Sequence, residues 1–552
     1  MQADEVAALE RLIQAASSSV GPCGRAQALR SSDAPGAKTI ITSCSVAALQ
    51  HWPVAPGHRI LRLVVDTVQA HLRRHRDSGW LFLNFCLRVT FALMGLRRRG
   101  VGALDQVFSR AAALHGVALA STWMHEALLD DACPCRHDLD WSDLPTVLGM
   151  LRSSLCKPVA LACSEDVHHI SCVILEAFLH ILPAAGSDGA SGLESKMRYS
   201  WFSGPEISWS SAIRGLVLDT PTAMAGGASR VDRDSRVALF QVSLEQWLPG
   251  TSEPLGVEVY QVEAEYTGVE MEPHVLRTWE ISKFQRLADA LVDAGVGIVA
   301  CQKLIDPWLS DHLQHRGVTL LPRLSIRHIE HIQLMSGAVP LTSLAALPSD
   351  FKTVCGILGP LECRTICQRT YTIVHQPGLN PHMAGNGLAT ANPCEPVATL
   401  MVGAPDEGSL DELRRCVPQA VYCLQAAATS RAVLEGAGCS EVYLADAIEK
   451  RARTIQSKDT RSATLSACSA AQAVAECLLE VAACLSAEGK AASPARPAAD
   501  RVAAIRRLGV GQKAGALEAE GPKRLALAGA LDLAAILLRL GGVLDFVNET
   551  IG

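Results

Sequence analysis

Val397 to Glu441 reads VATLMVGAPDEGSLDELRRCVPQAVYCLQAAATSRAVLEGAGCSE, and its layout decides the fold. Ser409 followed three residues later by Glu412 has the form of a capping box that starts a helix. Asp411 and Glu412 favour the positive end of that helix. The helix runs toward a turn at Gly436, Ala437 and Gly438, and Pro418 inside it is expected to kink or split it, at a cost of about 3 kcal/mol in a helix interior.

Three other segments belong to the same pattern. They are VGPCGRAQAL (Val20 to Leu29), ITSCSVAAL (Ile41 to Leu49) and RDSGW (Arg76 to Trp80). Together the four resemble the group II chaperonins, the eukaryotic cytosolic and archaeal ring-forming folding machines. There the corresponding runs are a helix opening LDEAERSLHDAL that leads to GGG, then LGPxGMDKML, ITNDGATIL and GDGTT. In that register the aspartate that prepares water for attack on ATP falls on Gln419, a neutral amide that cannot accept the proton. Ala26 and Gln27 stand where an acid and a lysine are usual, and Cys44 and Ser45 replace an Asp-Gly pair. Gly79 and Trp80 replace two threonines.

The resemblance therefore implies a vestigial nucleotide pocket at Gly21, Pro22, Gly24, Asp77, Gly79, Gly436 and Gly438. Mg²⁺ wants hard oxygen ligands, and Cys44 is a poor one. Loss of a positioned general base costs roughly 10²- to 10⁴-fold in rate. The expectation is no catalytic residue, no ATP turnover and no required cofactor, with residual ATP or magnesium binding at Asp77 left open. Two alternatives stand beside it. Asp406 or Asp411 takes over as the base, or the chain is an ATP-dependent folding subunit.

Across 552 residues the resemblance implies a multidomain α + α/β fold, with helical equatorial, small intermediate and α/β apical domains. The expected boundaries are 1–138 and 416–552 for the equatorial parts, 139–196 and 351–415 for the intermediate parts, and 197–350 for the apical domain. The residues themselves support this order. Leu61, Val64, Val68 and Leu72 recur at helix spacing; Arg236 to Phe240 and Gly297 to Ala300 read as buried strands around a helix at Ile281 to Asp293. Asp306, Pro307 and Gly317 frame one helix, and Ser325 and Gly337 the next. In the apical domains of the family an apolar groove faces client protein, which makes Trp308, Leu309, His312 and Leu313 the candidate client-binding residues. Packing inward is the alternative. Gly256 to Glu270 alternates like a strand where the family carries its lid, and Glu488 to Asp500 reads as a linker.

Composition narrows the function classes. The chain is 49% apolar and 19% charged with a formal charge of −6, so it has no basic footprint for nucleic acid. Met1 to Glu10 carries acids and no apolar core, unlike a secretory signal. Trp80 to Leu96, seventeen residues broken by Asn84 and Arg88, falls short of a membrane span and reads as a buried helix. Nineteen cysteines lie without paired spacing, as reduced core residues. CPCRH, with Cys133, Cys135 and His137, lacks a second ligand pair for zinc, and His328 and His331 read as a solvated helix edge. GxSxG, a strand-borne GxGxxG and HExxH are all missing, against a small-molecule enzyme. Within the chaperonins, DSGWLF, CPCR and EGAGCSE are similar to the McKusick-Kaufman and Bardet-Biedl syndrome group of chaperonin-like proteins. That resemblance implies an assembly factor of the cytoplasm, centrosome and ciliary basal body. Its implied partners are other chaperonin-like Bardet-Biedl proteins, cytosolic chaperonin subunits and subunits of the BBSome, a ciliary trafficking coat.

Overall fold

A computed structural model describes residues 3–21, 24–30, 39–55, 57–99, 109–130, 133–155, 160–161, 163–182, 192–219, 230–245, 273–344, 347–378, 394–459, 461–486, 498–508 and 516–540. Pro22, the strand expected at Gly256 to Glu270 and most of the linker expected at Glu488 to Asp500 lie outside them.

The two ends of the chain share one helical core. Helices α1 (Ala3–Ser19), α2 (Ser45–Gln50), α3 (Arg59–His75), α4 (Gly79–Arg99) and α5 (Arg110–Leu129) come from the first part. They pack against the late helices Cys439–Gln456, Ser462–Leu485 and Glu520–Arg539, and Leu12, Val68, Phe85, Leu478 and Leu531 are buried between them. Helix α5 approaches the helix Ser462–Leu485 so closely that a Cβ on Gly116 would lie 2.3 Å from that of Ala470. Only small residues permit this crossing. Two helices, Gly79–Leu96 and Ser462–Leu485, have the length and apolarity of a membrane span, and each is two-thirds buried within the fold. Arg88 on α4 spends its charge on Asn84 and Glu480. The hairpin of β1 (Gln27–Arg30) and β2 (Thr39–Thr42) closes this unit antiparallel, Gln27 opposite Thr42.

A short strand β3 (Arg136–Asp138) leads to α6 (Leu144–Leu155) and α7 (Ser164–Ile181), which bury Leu151, Ile174 and Phe178. The next strands make two sheets. One has six strands: β4 (Met197–Ser203), β5 (Ser211–Leu218), β6 (Arg230–Val231), Leu361–Ile366, Arg369–His375 and Ala398–Ala404. In it β4 runs parallel to Ala398–Ala404, Met197 opposite Ala398, so strands on both sides of the expected boundary at 350/351 share one sheet. The other is a four-stranded sheet of β7 (Ser235–Phe240), β8 (Val296–Cys301), β9 (Thr319–Leu321) and Gly356–Leu358. Its β7-β8-β9 core is parallel and is crossed by α8 (Pro273–Asp293) and α9 (Pro307–His315), giving the expected α/β alternation. Asp306 caps α9 through the amides of Trp308 (2.9 Å) and Leu309 (3.3 Å). Ser325 caps α10 (Ile326–Ser336), which ends on left-handed Gly337.

Two expectations about the decisive segment are corrected. Its helix, α11 (Glu407–Ser430), is capped by Asp406 and not by Ser409. The Asp406 carboxylate accepts from the Ser409 amide at 2.8 Å and from its hydroxyl at 2.7 Å, which draws the start back by a turn. Helix α11 also runs unbroken through Pro418. Leu413, Val417, Ala420, Val421 and Leu424 around that proline are at most 2% exposed. Burial of a side chain such as valine or leucine contributes about 1.5–3 kcal/mol each, enough to offset the missing backbone bond. After α11, strand Ala432–Glu435 pairs with β3 and leads into the glycine turn.

Candidate nucleotide cleft

Helix α11 is held over the start of α4 by one stripe of side chains. Glu412, Cys416, Gln419 and Cys423 recur at spacings of four, three and four, and so share a face. Glu412, 3% exposed, accepts from the Ser43 amide (2.8 Å) and hydroxyl (2.7 Å) through one oxygen. Gln419 donates from Nε2 to Asp77 Oδ1 at 2.8 Å and accepts from the Cys44 thiol at 3.6 Å. The Cys423 thiol lies 3.6 Å from the other oxygen, Asp77 Oδ2. Between these elements is a cleft of about 120 Å³ lined in part by Gly21, Cys44, Asp77, Gly79, Gln419 and Glu518. Ordinary small-ligand pockets run from about 300 Å³ upward.

The structure thus brings Gly21, Asp77, Gly79 and Gln419 together at one cleft, as the sequence register implied. Gly436 and Gly438 flank it through Ala437. Gly21 and Gly438 take left-handed backbone, φ 82° and 93°. The cradle donors, however, are partly consumed by the chain: the Gly24 amide bonds the Gly21 carbonyl at 3.0 Å, and the Gly436 amide bonds Ala516 at 2.8 Å. Trp80 turns its indole inward, 4% exposed, and donates to the Ser43 carbonyl at 3.2 Å. A bulky, inward-turned ring therefore stands at the position where the resemblance has a phosphate-binding threonine.

These residues do not fit magnesium. Both oxygens of Asp77 have a partner, the Gln419 amide on one and the Cys423 thiol on the other. Burial pushes the Cys44, Cys416 and Cys423 thiols up from their ordinary range, which keeps them neutral. Hard cations prefer oxygen. The stand-in bases are elsewhere: Asp406 is occupied as the cap of α11, and Asp411 pairs with Arg414 at 2.8 Å. Neither lines the cleft.

Beside the cleft, Lys523 is 1% exposed and lies 2.9 Å from Glu441 and 3.0 Å from Glu518. This cluster, with Lys523 and Glu441 buried and Glu518 partly exposed, was not expected from the sequence; an acidic residue just after the glycine turn was the only available signal. Under the Asp77 loop, the His71 ring lies tilted against those of His75 (4.8 Å between centroids) and Phe82 (5.0 Å). Burial, reinforced by the charge of His75, lowers the His71 pKa to about 4. The unfolded chain takes up this proton near pH 6.5, so stability is lost as pH falls from about 6.5 to about 4. Burial lowers His180, His331 and His375 too, with the same sign. Expected is a fall on the order of 2 kcal/mol for His71, read as a steeper loss of urea midpoint between pH 7 and 5 in the native chain than in His71→Gln.

Other candidates are corrected. Leu309 and Leu313 are 0% exposed and form part of the core under the parallel sheet, so they face no client. The cap at Asp306 sets the rotation of α9 and turns them inward. Trp308 is half-buried against the same core and His312 stacks on it at 4.8 Å. His331 is 6% exposed, with Nδ1 2.6 Å from the Arg327 carbonyl, and is no solvated edge. Cys133 and Cys135 are buried, and His137 Nε2 lies 3.1 Å from Glu435. Among the described residues no group of three or more ligating side chains could hold a metal ion.

Comparison with known proteins agrees with the fold. The profile of the TCP-1/cpn60 chaperonin family matches residues 12–544. "Molecular chaperone MKKS" of Mus musculus is 26% identical over 435 residues, 77% of this chain and 67% of the relative. The Homo sapiens protein of that name is 24% identical over 445 residues, 79% and 68% of the two chains. A "Thermosome subunit" of Desulfurococcus sp. is 22% identical over 367 residues, 66% and 60%. With a match spanning nearly the whole sequence, this chain belongs to the TCP-1/cpn60 chaperonin family.

Proposed function

We propose that this chain is a non-hydrolysing chaperonin-like assembly factor, which binds related chaperonin-like subunits and client proteins and promotes assembly of the BBSome coat. The observation that carries the non-hydrolysing reading is the hydrogen bond from Gln419 to Asp77, which engages a cleft carboxylate opposite α11 with an amide. An amide there accepts no proton from water, and without turnover a chaperonin has no source of work for a driven closing cycle. Such a chain acts as a holding or templating surface. Likeness to proteins named "Molecular chaperone MKKS" supports the chaperone class, and the proposed partners are other chaperonin-like Bardet-Biedl proteins, cytosolic chaperonin subunits and BBSome subunits. It would work in the cytoplasm, at the centrosome and at the ciliary basal body, with no required cofactor.

Titration calorimetry of the full chain with ATP and magnesium tests the cleft. The expected result is no saturable heat. Affinity isolation from ciliated cells followed by mass spectrometry tests the partners, with chaperonin-like and BBSome subunits expected. Their consistent absence alongside clear nucleotide binding would favour the rival ATP-dependent folding subunit.

A further inference from the structure

Four residues of one helix face do more than block a reaction. Glu412, Gln419 and Cys423 reach Ser43, Cys44 and Asp77, three positions on two different loops, and Tyr422 adds a contact from its hydroxyl to the Arg74 carbonyl at 3.4 Å. Each contact joins α11 to the N-terminal helical unit across more than 340 residues of sequence. Gln419 is central because it works in both directions. Its amide nitrogen donates to a carboxylate while its amide oxygen accepts from a thiol, so neither end of the side chain is wasted.

We propose that Gln419 is a built-in substitute for a cation, and that it latches α11 onto the Asp77 loop with no ligand bound. A carboxylate facing a second carboxylate needs a proton or a metal ion between them. A carboxylate facing an amide N–H needs neither. The helix is therefore docked permanently, and the cleft closes on side chains instead of opening and closing on a ligand. This rests on the reading of the cleft as non-hydrolysing and goes beyond it, because a chain can lack turnover and still move.

An isosteric charge swap tests the latch in the full-length chain. Gln419→Glu keeps shape and puts an oxygen against Asp77 Oδ1. Hydrogen–deuterium exchange of the amides in 407–430, in chelator at roughly pH 8 where the pair cannot share a proton, should show opening increased by about tenfold or more. That is the scale of losing a hydrogen bond to a charged group. Millimolar magnesium or manganese should restore protection in Gln419→Glu and leave the native chain unchanged. The double variant Asp77→Asn, Gln419→Glu reverses the polarity of the bond and should regain protection in chelator, without metal. Native-like protection in Gln419→Glu, a double variant no better than the single one, or an equal gain from metal in the native chain would each overturn the latch. If Gln419→Glu does not fold, the double variant decides alone: a folded, metal-indifferent protein supports the latch, and an unfolded one overturns it. Phosphate release by the native chain would instead strike at the non-hydrolysing reading, so the two failures are separable.

Discussion

Lys523→Met is expected to lower the stability of the chain by about 3–5 kcal/mol, the cost of breaking a buried ion pair by removing one partner. Methionine keeps the stem and fills the same space. What it removes is the ammonium lying 2.9 Å from Glu441, a carboxylate that is 0% exposed. The Ser440 hydroxyl, 3.2 Å from the other oxygen of Glu441, is too weak a replacement. Adding Glu441→Gln to Lys523→Met should recover much of the loss, since no buried charge is then left alone. Burial alone would pull the lysine down; the two carboxylates outweigh it and hold the ammonium above its ordinary range. A raised lysine contributes fully at every pH below the unfolded value near 10.4 and loses its contribution only above that. The native midpoint should therefore owe nothing to this group's titration between pH 6 and 9. Because the chain has several cores, the comparison is between midpoints of the transition that exposes the helical core, followed by exchange in 520–539. An unchanged midpoint in Lys523→Met would show that Glu441 relaxes to water, contrary to its burial.

Leu309→Ala separates a core residue from a gripping surface. Both Leu309 and Leu313 are fully enclosed with Leu287, Val299 and Phe351. Truncation of such a leucine costs about 2–5 kcal/mol, partly from the lost transfer energy and partly from the cavity left behind. The expected result is a clear fall in the melting transition of the α/β unit, with weakened partner recovery only as a consequence. A variant with native stability and lost partner binding would return these residues to the surface. Trp308, half-buried beside His312, is the position on this helix where a change should register first as altered solvent exposure of an indole and less as unfolding.

How far the sequence carried the reading depends on what kind of information a feature needs. The caps at Asp306 and Ser325 and the left-handed Gly337 were legible because each is written in two or three adjacent residues. The start of α11 was misplaced by a turn because two acids and a serine offer competing caps. Asp406 wins since its carboxylate binds both the amide and the hydroxyl of Ser409. Pro418 was read by its local cost, while the outcome was set by buried leucines and valines on either side, which are tertiary information. The cleft was half legible. Resemblance placed Gln419 and Asp77 in one pocket, but the bond from the amide to the carboxylate depends on how α11 docks in the fold. Glu412 had a helix-starting role in the sequence and proves to be the partner of Ser43, 369 positions away. Amphipathic spacing on α9 could not say which side of the helix meets the sheet, and the inward choice removed two of four candidate client residues.

The most direct test of the central claim is steady-state phosphate release by the purified full chain given ATP and magnesium. The expected result is release no faster than in the protein-free blank, and no slower in Asp77→Asn. Saturable release that Asp77→Asn abolishes would contradict the claim, because it would require a working nucleotide centre where Gln419 and Cys423 now engage that carboxylate.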